Sequence, residues 1–293
     1  MAAQSKFISG HTHLISLIGN PIRHSKSPVT HSVSFEKLGI DAVYLAFNIT
    51  PEDLPDVLAA MRRMDGWDGS NVTMPCKQAI IPYLDGLGDA AELMGAVNVV
   101  QKTEDGKLIG HNTDGAGFWV NMQKHGVDPK GKTVTVTGPG GAGSAIWVQG
   151  ALDGAAKIHI FAREGGPSYN HTLELMPNVI AKTGCDVQLH PFEDKEAMKA
   201  ALAESDILAN ATNVGMGADN TETPVPAEFI KEGMAVGDAI YFPLMTQLLQ
   251  DAEAKGCQVV TGIGMMNEQA AVGEKIWYGV DMPIDEVTAE LNA

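Results

Sequence analysis

The sequence predicts an α/β protein of two lobes. Three observations lead to this: the length, an alternation of short apolar strands with helical segments, and a glycine-rich turn near the middle of the chain. The chain has 293 residues, whereas a domain commonly holds roughly 100–200. Hydrophobic residues make up 44% and charged residues 19%, as in globular proteins. We expect one lobe over residues 1–118, rejoined by residues 262–293, and a second lobe over residues 119–261.

Short strands alternate with helices in the first lobe. LISLIG, from Leu14, and VYLAF, from Val43, are predicted strands, with a helix through His31 to Leu38 between them. In the next helix Thr50 is placed to cap the N-terminus and Pro51 suits the first position. One face of that helix carries the apolar side chains of Leu54, Val57, Leu58 and Met61. The alternation predicts a parallel or mixed sheet covered by helices.

The second lobe repeats this alternation. Its predicted strands are Thr133–Thr137 and the segments KIHIFA, DVQLH, DILAN, GDAI and QVV, with helix-length stretches between them. Such a series is typical of nucleotide-binding domains. The residues after Gly262 have an amphipathic helical pattern and are too few for a domain. We therefore expect this C-terminal helical segment to return to the first lobe.

The turn after Thr137 has the spacing of a dinucleotide-binding motif. Gly138, Gly140 and Gly143 have the spacing G-x-G-x-x-G between a strand and a helix. The first glycine allows a tight turn, the second allows a pyrophosphate to approach the backbone, and the third allows the helix to pack closely on the strand. Gly141 and Ala142 complete the turn, where free N–H groups would face the phosphates. This predicts a Rossmann-type dinucleotide-binding domain. The alternative is a purely structural turn.

Two charged residues at the end of KIHIFA bear on the choice of cofactor. Glu164 could bind the adenosine ribose hydroxyls of NAD, or be a solvated loop carboxylate. Arg163 could stack on adenine or meet the 2′-phosphate of NADP. The two residues therefore point to different cofactors.

Composition excludes several classes of function. A formal charge of −16 with no cluster of basic residues argues against a nucleic-acid partner. No apolar run reaches the roughly 20 residues that span a bilayer, and the first residues lack a secretory pattern, so we expect a cytoplasmic protein without a membrane partner. Cys76, Cys185 and Cys257 form no CxxC pair, and no HExxH is present, which predicts no metal. Because the net negative charge would repel an anion, an anionic substrate would have to be bound by local hydrogen-bond donors.

Four polar segments of the first lobe supply such donors. They are RHSKSP from Arg23, NVTMPCK from Asn71, GAVN from Gly95 and HNTDGAGF from His111, and each is expected to be irregular and to follow an apolar strand. With NAT from Asn210, VGM from Val214 and Gln269, their order resembles the shikimate/quinate dehydrogenases over nearly the full length. RHSKSP, SNVTMPCKQ and IYFPLMTQLL are most similar to the broad-specificity quinate/shikimate branch.

The resemblance implies an oxidoreductase that transfers hydride reversibly between shikimate, or quinate, and a nicotinamide cofactor, in aromatic amino-acid biosynthesis or quinate metabolism. It implies Lys77 and Asp114 as the catalytic pair, and Ser25 and Ser27 as the ligands of the substrate carboxylate. The implied contacts to the rest of the substrate are Thr73, Asn98 and Gln269 at the ring hydroxyls and Tyr241 near carboxylate and nicotinamide. The implied cofactor contacts are the glycine turn, Arg163, Glu164, Thr212 and Gly262.

Three departures from the family pattern stand out. Ser32 replaces Asn after His31, and Pro139 replaces Ala in the glycine turn, where we expect effects on packing only. Pro167 stands where members that use NADP carry a second arginine, which favours NAD while NADP stays possible. A Ser-Lys-Ser turn leans toward shikimate, because one serine is often threonine in relatives that prefer quinate.

Two rival readings remain on the sequence. A methylenetetrahydrofolate dehydrogenase/cyclohydrolase also combines a catalytic lysine with a Rossmann-type lobe, but has no reason for the serine turn. A ligand sensor without catalysis would not need both Lys77 and Asp114. The sequence leaves open whether the protein is a monomer or a homodimer.

Overall fold

The computed structural model describes residues 8–291, which form a mixed α/β protein of two compact units. The first unit comprises the residues up to Asn112 and those from Ala270 onward, and the second is Thr113–Gln269. The first seven residues, which entered the argument against a secretory signal, lie outside the described residues. So do the last two residues of the segment 262–293.

The strands and helices follow one another along the chain. In chain order the strands are His13–Gly19 (β1), Ala42–Asn48 (β2), Trp67–Val72 (β3), Gly86–Leu87 (β4), Val99–Lys102 (β5), Leu108–His111 (β6), Thr133–Thr137 (β7), Lys157–Ala162 (β8), Asp186–Pro191 (β9), Ile207–Asn210 (β10), Ala235–Asp238 (β11) and Gln258–Val260 (β12). The α-helices are Ser27–Leu38 (α1), Leu54–Arg63 (α2), Cys76–Ala79 (α3), Asp89–Met94 (α4), Asp114–Lys124 (α5), Gly141–Leu152 (α6), Pro167–Thr183 (α7), Lys195–Glu204 (α8), Gln247–Ala254 (α9), Ile263–Tyr278 (α10) and Ile284–Leu291 (α11). Single 3₁₀ turns are Pro51–Asp53, Ile81–Tyr83 and Ala227–Phe229.

The first unit is built on a mixed sheet, as the alternation predicts. Its strand order is β2-β1-β3-β5-β6-β4, with β1 parallel to both neighbours and β5 antiparallel to both of its own. Leu54, Leu58 and Met61 of α2 are buried against this sheet, while Val57 is partly buried. Thr50 and Asp53 form a capping box as predicted, but it closes the 3₁₀ turn Pro51–Asp53, and α2 begins after that turn, at Leu54. The helix predicted through His31 begins four residues earlier, at Ser27.

The second unit has the all-parallel sheet of a Rossmann-type domain. Its strand order is β12-β11-β10-β7-β8-β9. The side chains of α8, α9 and the neighbouring strands form a buried core that includes Phe161, Leu202 and Leu248. The carboxyl ends of β7, β8, β10 and β11 therefore meet at one edge, where α/β sheets bind their ligands.

The unit boundaries differ from the predicted ones. The first boundary lies between Asn112 and Thr113 where we placed it after Phe118, because α5 is one continuous helix from Asp114. The second follows Gln269, inside α10, where we placed it after Thr261. The residues from Ala270 onward belong to the first unit, with Val287 of α11 packed near Val33 of α1. Along residues 8–291, no helix is long and apolar enough to cross a membrane.

Candidate active site

Ser25 and Ser27 lie together at the start of α1, in the turn after β1. The Ser25 hydroxyl donates to Oγ of Ser27 over 3.2 Å, and the backbone N–H of Ser27 donates to Oγ of Ser25 over 3.2 Å. The Ser25 N–H is held by the carbonyl oxygen of Ile22 at 3.0 Å. Ser27 is the first residue of a helix of 12 residues, so both hydroxyls stand at the positive end of its dipole. The turn thus presents two donors suited to one anion.

Thr73 and Lys77 follow β3, and the segment that carries them is more regular than predicted. Asn71 and Val72 are strand residues, and Lys77 belongs to α3. The Thr73 N–H donates to the carbonyl oxygen of Ile18 at the end of β1, over 2.8 Å. The carbonyl oxygen of Lys77 accepts from the N–H of Val97 over 2.8 Å. Both side chains are half-buried, and their backbone is fixed to neighbouring strand ends.

Asn98 lies between the ends of β3 and β6. Its N–H donates to the carbonyl oxygen of His111 over 2.9 Å, and its carbonyl oxygen accepts from Val72 over 2.8 Å. Asn98 is buried, at 4% exposure. The prediction that GAVN follows a strand was wrong: it follows α4, which Gly95 ends in the left-handed region at φ 60°, and it leads into β5.

Asp114 and Gln269 belong to the second unit, on two helices that touch. Asp114 is the first residue of α5, and the preceding Thr113 donates its hydroxyl to the carbonyl oxygen of Gln269 over 3.1 Å. A Cβ at Gly117 would lie 2.6 Å from the backbone nitrogen of Gln269, so a glycine permits this approach of α5 to α10. The structure therefore holds the start of α5, which carries Asp114, against the middle of α10, which carries Gln269.

The glycine turn is built as the motif predicts. Gly138 adopts φ 77°, and a Cβ on it would lie 2.6 Å from Cγ2 of Thr212. A Cβ on Gly143 would overlap the carbonyl oxygen of Gly138, because α6 packs closely on β7. At Gly140 and Gly141 a Cβ would meet no atom within 4 Å, so the N-terminus of α6 opens onto space, and Ala142 beside them is exposed. These residues fit a dinucleotide pyrophosphate. Pro139 is buried.

Arg163 and Glu164 follow β8 directly and are both exposed. The turn after them passes through Gly165 at φ 67°, and the N–H of Gly166 donates to the carbonyl oxygen of Arg163 over 3.0 Å. Pro167 then begins α7. Both charged side chains therefore stand at the strand end where Rossmann-type domains contact the adenosine ribose.

A buried network that the sequence analysis missed underlies Thr212. Asn210, at the end of β10, accepts at Oδ1 from the hydroxyl of Thr137 over 3.0 Å and from the N–H of Thr212 over 3.0 Å. Its amide nitrogen donates to Oδ1 of Asp238 over 3.0 Å. Asp238 also accepts from the N–H of Ile240 and the hydroxyl of Thr246. The only sequence signal was Asn210 in the NAT segment, because Asp238 was read only as part of a strand.

Burial dominates the electrostatics of Asp238. The side chain is 1% exposed, and burial raises its pKa to about 6, while the hydrogen bonds from Ile240, Thr246 and Asn210 oppose the rise. Three donors around one acceptor-only group fit the charged carboxylate. This network ties the segment after β11 to the strand ends below the glycine turn.

Tyr241 lies on that segment and is 54% exposed, beside the exposed Phe242 and Leu244. The carbonyl oxygen of Phe242 accepts from the N–H of Gly217 over 3.1 Å, which joins the VGM segment to the Tyr241 segment. Gly262 is buried, and a Cβ on it would overlap the carbonyl oxygen of Ile240. Packing on this segment therefore suffices to require a glycine at 262. Within the described residues, no three His, Cys, Asp or Glu side chains are grouped to hold a metal ion.

Comparison with known proteins finds similar sequences and similar structures among the shikimate dehydrogenases. A family model described as the shikimate dehydrogenase substrate binding domain matches residues 17–100. A relative from Listeria monocytogenes serotype 4b, named shikimate dehydrogenase (NADP(+)), is 45% identical over 283 residues, 96% of each chain. The crystal structure of shikimate 5-dehydrogenase from Listeria monocytogenes with shikimate and NAD is 44% identical with a TM-score of 0.93, over 98% of this chain and 99% of that chain. The 5-ketofructose reductase of Gluconobacter sp. strain CHM43 is 30% identical with a TM-score of 0.85, over 97% of this chain and 99% of that chain.

Proposed function

The chain belongs to the shikimate dehydrogenase family of oxidoreductases that act on CH–OH groups, and we propose that it interconverts shikimate and 3-dehydroshikimate with a nicotinamide cofactor. The observation that carries the proposal is the serine pair at the start of α1. Its two hydroxyls are 3.2 Å apart, half-buried, and in the same unit as Lys77 and Asn98. Two donors at a helix N-terminus suit a carboxylate, which a chain of charge −16 would otherwise repel.

The polar side chains of the first unit suit the rest of the substrate. We assign Thr73 and Asn98 to ring hydroxyls, because a hydroxyl and an amide can each donate and accept. Gln269 of the second unit has the same chemistry. Tyr241, whose ring is largely exposed, is assigned to the substrate end near the carboxylate.

The proton of the reacting hydroxyl is assigned to Lys77. In oxidation its neutral Nζ takes this proton as the C–H bond gives up a hydride, and in reduction the ammonium returns a proton to the developing alkoxide. The carboxylate of Asp114 is the second member of the proposed catalytic pair and is assigned to orienting the reacting hydroxyl. When bound, the nicotinamide supplies the hydride acceptor or donor. The glycine turn, Thr212 and Gly262 are the residues proposed to hold it.

We propose NAD as the preferred cofactor, although the Listeria relative is named for NADP(+). Glu164 and Arg163 both stand at the end of β8, and Pro167 occupies the position of a second arginine. A carboxylate near a 2′-phosphate costs affinity through like-charge repulsion, while ribose hydroxyls can donate to it. The Listeria crystal structure with shikimate and NAD shows that a relative at 44% identity binds this cofactor.

The rival functions make different predictions. The 45% identity to shikimate dehydrogenases over 96% of the chain does not favour a folate enzyme or a silent sensor. Purified protein should be assayed by nicotinamide absorbance with shikimate, quinate and 5-ketofructose, each with both cofactors in the matching redox state. We expect the highest kcat/KM for shikimate with NAD. Preference for quinate or 5-ketofructose would refute the substrate assignment, and no turnover of any of them would favour the sensor.

The cellular compartment and the oligomeric state are further proposals. The three cysteines are free thiols, which supports a reducing compartment such as the cytoplasm. Cell fractionation tests this, and light scattering distinguishes the monomer from the homodimer.

A further inference from the structure

Asn121 is a buried polar residue of the second unit to which the proposed reaction assigns no role. It lies on α5, and its side chain is 6% exposed. Its amide nitrogen donates to the carbonyl oxygen of Thr261 over 3.0 Å. Thr261 follows β12, and we call residues 261–264, which lead from β12 into α10, the entry turn. A side chain of α5 therefore holds the start of another helix.

The entry turn contains two glycines, and close packing requires both. A Cβ on Gly264 would overlap the amide oxygen of Asn121, so the Asn121 side chain lies directly on the turn. A Cβ on Gly262 would overlap the carbonyl oxygen of Ile240. Glycine has the widest choice of backbone conformations, so a turn with two of them is weakly fixed by its own residues. The hydrogen bond from Asn121 supplies a restraint that the turn lacks.

Helix α5 is a firm support for this hydrogen bond, because it packs on the sheet and on α10. A Cβ on Gly237 of β11 would lie 2.7 Å from Sδ of Met122 and 2.8 Å from Cζ of Phe118, so α5 lies directly on that strand. Near its end, Lys124 pairs with Oε1 of Glu268 over 2.6 Å. Close packing of this kind leaves a helix little room to move.

The hydrogen bond orients one particular peptide group. The carbonyl of Thr261 and the N–H of Gly262 belong to the same planar trans peptide, so the two groups point in opposite directions. Because the carbonyl oxygen is turned toward Asn121, the Gly262 N–H is directed away from that side chain. Asn121 therefore decides which way the backbone at Gly262 faces.

The strand order puts Gly262 on the side of the sheet away from the proposed adenosine contacts. Strands β8 and β12 lie on opposite sides of β7, which leads into the glycine turn. Arg163 and Glu164 follow β8, whereas Thr212 comes after β10 and Gly262 after β12. A dinucleotide that crosses the glycine turn with its adenosine at β8 extends its nicotinamide half over the ends of β10–β12.

We propose that Asn121 is a positioning residue for the nicotinamide half of the cofactor, and that it acts through the peptide between Thr261 and Gly262. This rests on the proposed function, in which Gly262 contacts the cofactor. Without the amide group the entry turn is free to rotate, and the cofactor has to order it on binding. The cost falls on the nicotinamide half, because the adenosine contacts follow β8.

The test compares the binding of NAD with that of ADP-ribose, which lacks the nicotinamide, by calorimetry. Asn121→Ala removes the amide group, and Asn121→Leu removes it while keeping a branched side chain of similar size. One neutral hydrogen bond is worth a factor of about two to ten in affinity. We expect both variants to raise the Kd for NAD by about that factor and to leave the Kd for ADP-ribose as in wild type. If wild type prefers NADP, the same comparison is made with NADP and 2′-phospho-ADP-ribose.

Lys124→Met is the matched control. Lys124 lies on the same helix and also holds α10, but its ion pair is with Glu268, outside the entry turn. We expect this variant to bind NAD and ADP-ribose as wild type does. A change in its Tm then measures what the contact between the two helices contributes to stability alone.

The outcomes separate this inference from the proposed function. Equal losses of affinity for NAD and ADP-ribose, wild-type affinity for NAD in Asn121→Leu, or the same loss for NAD in Lys124→Met would each overturn the positioning role and leave the proposed function intact. A wild-type protein that binds neither NAD nor NADP would overturn the proposed function and this inference with it.

Discussion

Replacing Asp238 with Asn should change how the stability of the protein depends on pH. The carboxylate is 1% exposed and is held by Asn210, Ile240 and Thr246, at distances of 2.8–3.0 Å. Asparagine keeps the shape and one acceptor oxygen but cannot ionise. The variant therefore removes one buried titration from the second unit and leaves most of the packing in place.

The sign of the effect follows from the direction of the pKa shift. Burial raises the pKa of Asp238 from 3.8 to about 6 in the folded protein. The folded state therefore holds this proton more tightly, and the stability it contributes is present at low pH and lost as the pH rises through about 6. The shift of about two pKa units corresponds to roughly 3 kcal/mol, at about 1.4 kcal/mol per unit. The free energy of unfolding of wild type relative to Asp238→Asn should fall by that order between about pH 4 and pH 7.

Urea unfolding followed by circular dichroism between pH 4.5 and 8 measures this difference. The Asp219→Asn variant, which removes the same charge from an exposed loop, controls for net charge. A difference between wild type and Asp238→Asn that stays constant over this range would show that Asp238 does not titrate there. A difference that grows in favour of wild type as the pH rises would show that its three donors outweigh burial.

Three further predictions concern the proposed reaction. Lys77→Ala should lower kcat about 100-fold or more with a smaller change in KM, because it removes a positioned acid–base group; near-normal kcat in steady-state assays would remove Lys77 from that role. Ser25→Ala or Ser27→Ala should raise the KM for shikimate about 10- to 100-fold, as expected for one lost hydrogen bond to a charged group; unchanged KM in both would place the carboxylate elsewhere. Glu164→Ser should shift the ratio of kcat/KM toward NADP, and a ratio that does not move would assign cofactor choice to Arg163.

Much of the fold could be predicted because its signals are local. The spacing of Gly138, Gly140 and Gly143 reports on the backbone of one turn, and the structure repeats it, with α6 packed on β7 and open space at Gly140. The capping box at Thr50 is likewise contained within four residues. The predicted ends of strands were wrong where the end depends on tertiary contacts of residues further along the chain. Strand β11 ends at Asp238, two residues before the predicted GDAI segment ends, because the Asp238 side chain begins the next turn.

Sequence by itself determined the two α/β units, the glycine turn and the residue types at each candidate position, since these depend on periodicity and on short motifs. Only the tertiary structure decided which polar residues meet. Tyr44 and Asn71 are 27 positions apart, and His31 and Glu274 are 243 apart. Nothing in the local sequence marks a tyrosine in an apolar strand, or a glutamate in a C-terminal helix, as a buried hydrogen-bonding partner. Strand order and helix packing decide their partners, because a buried polar atom must form a hydrogen bond and only the tertiary structure determines which groups lie close enough.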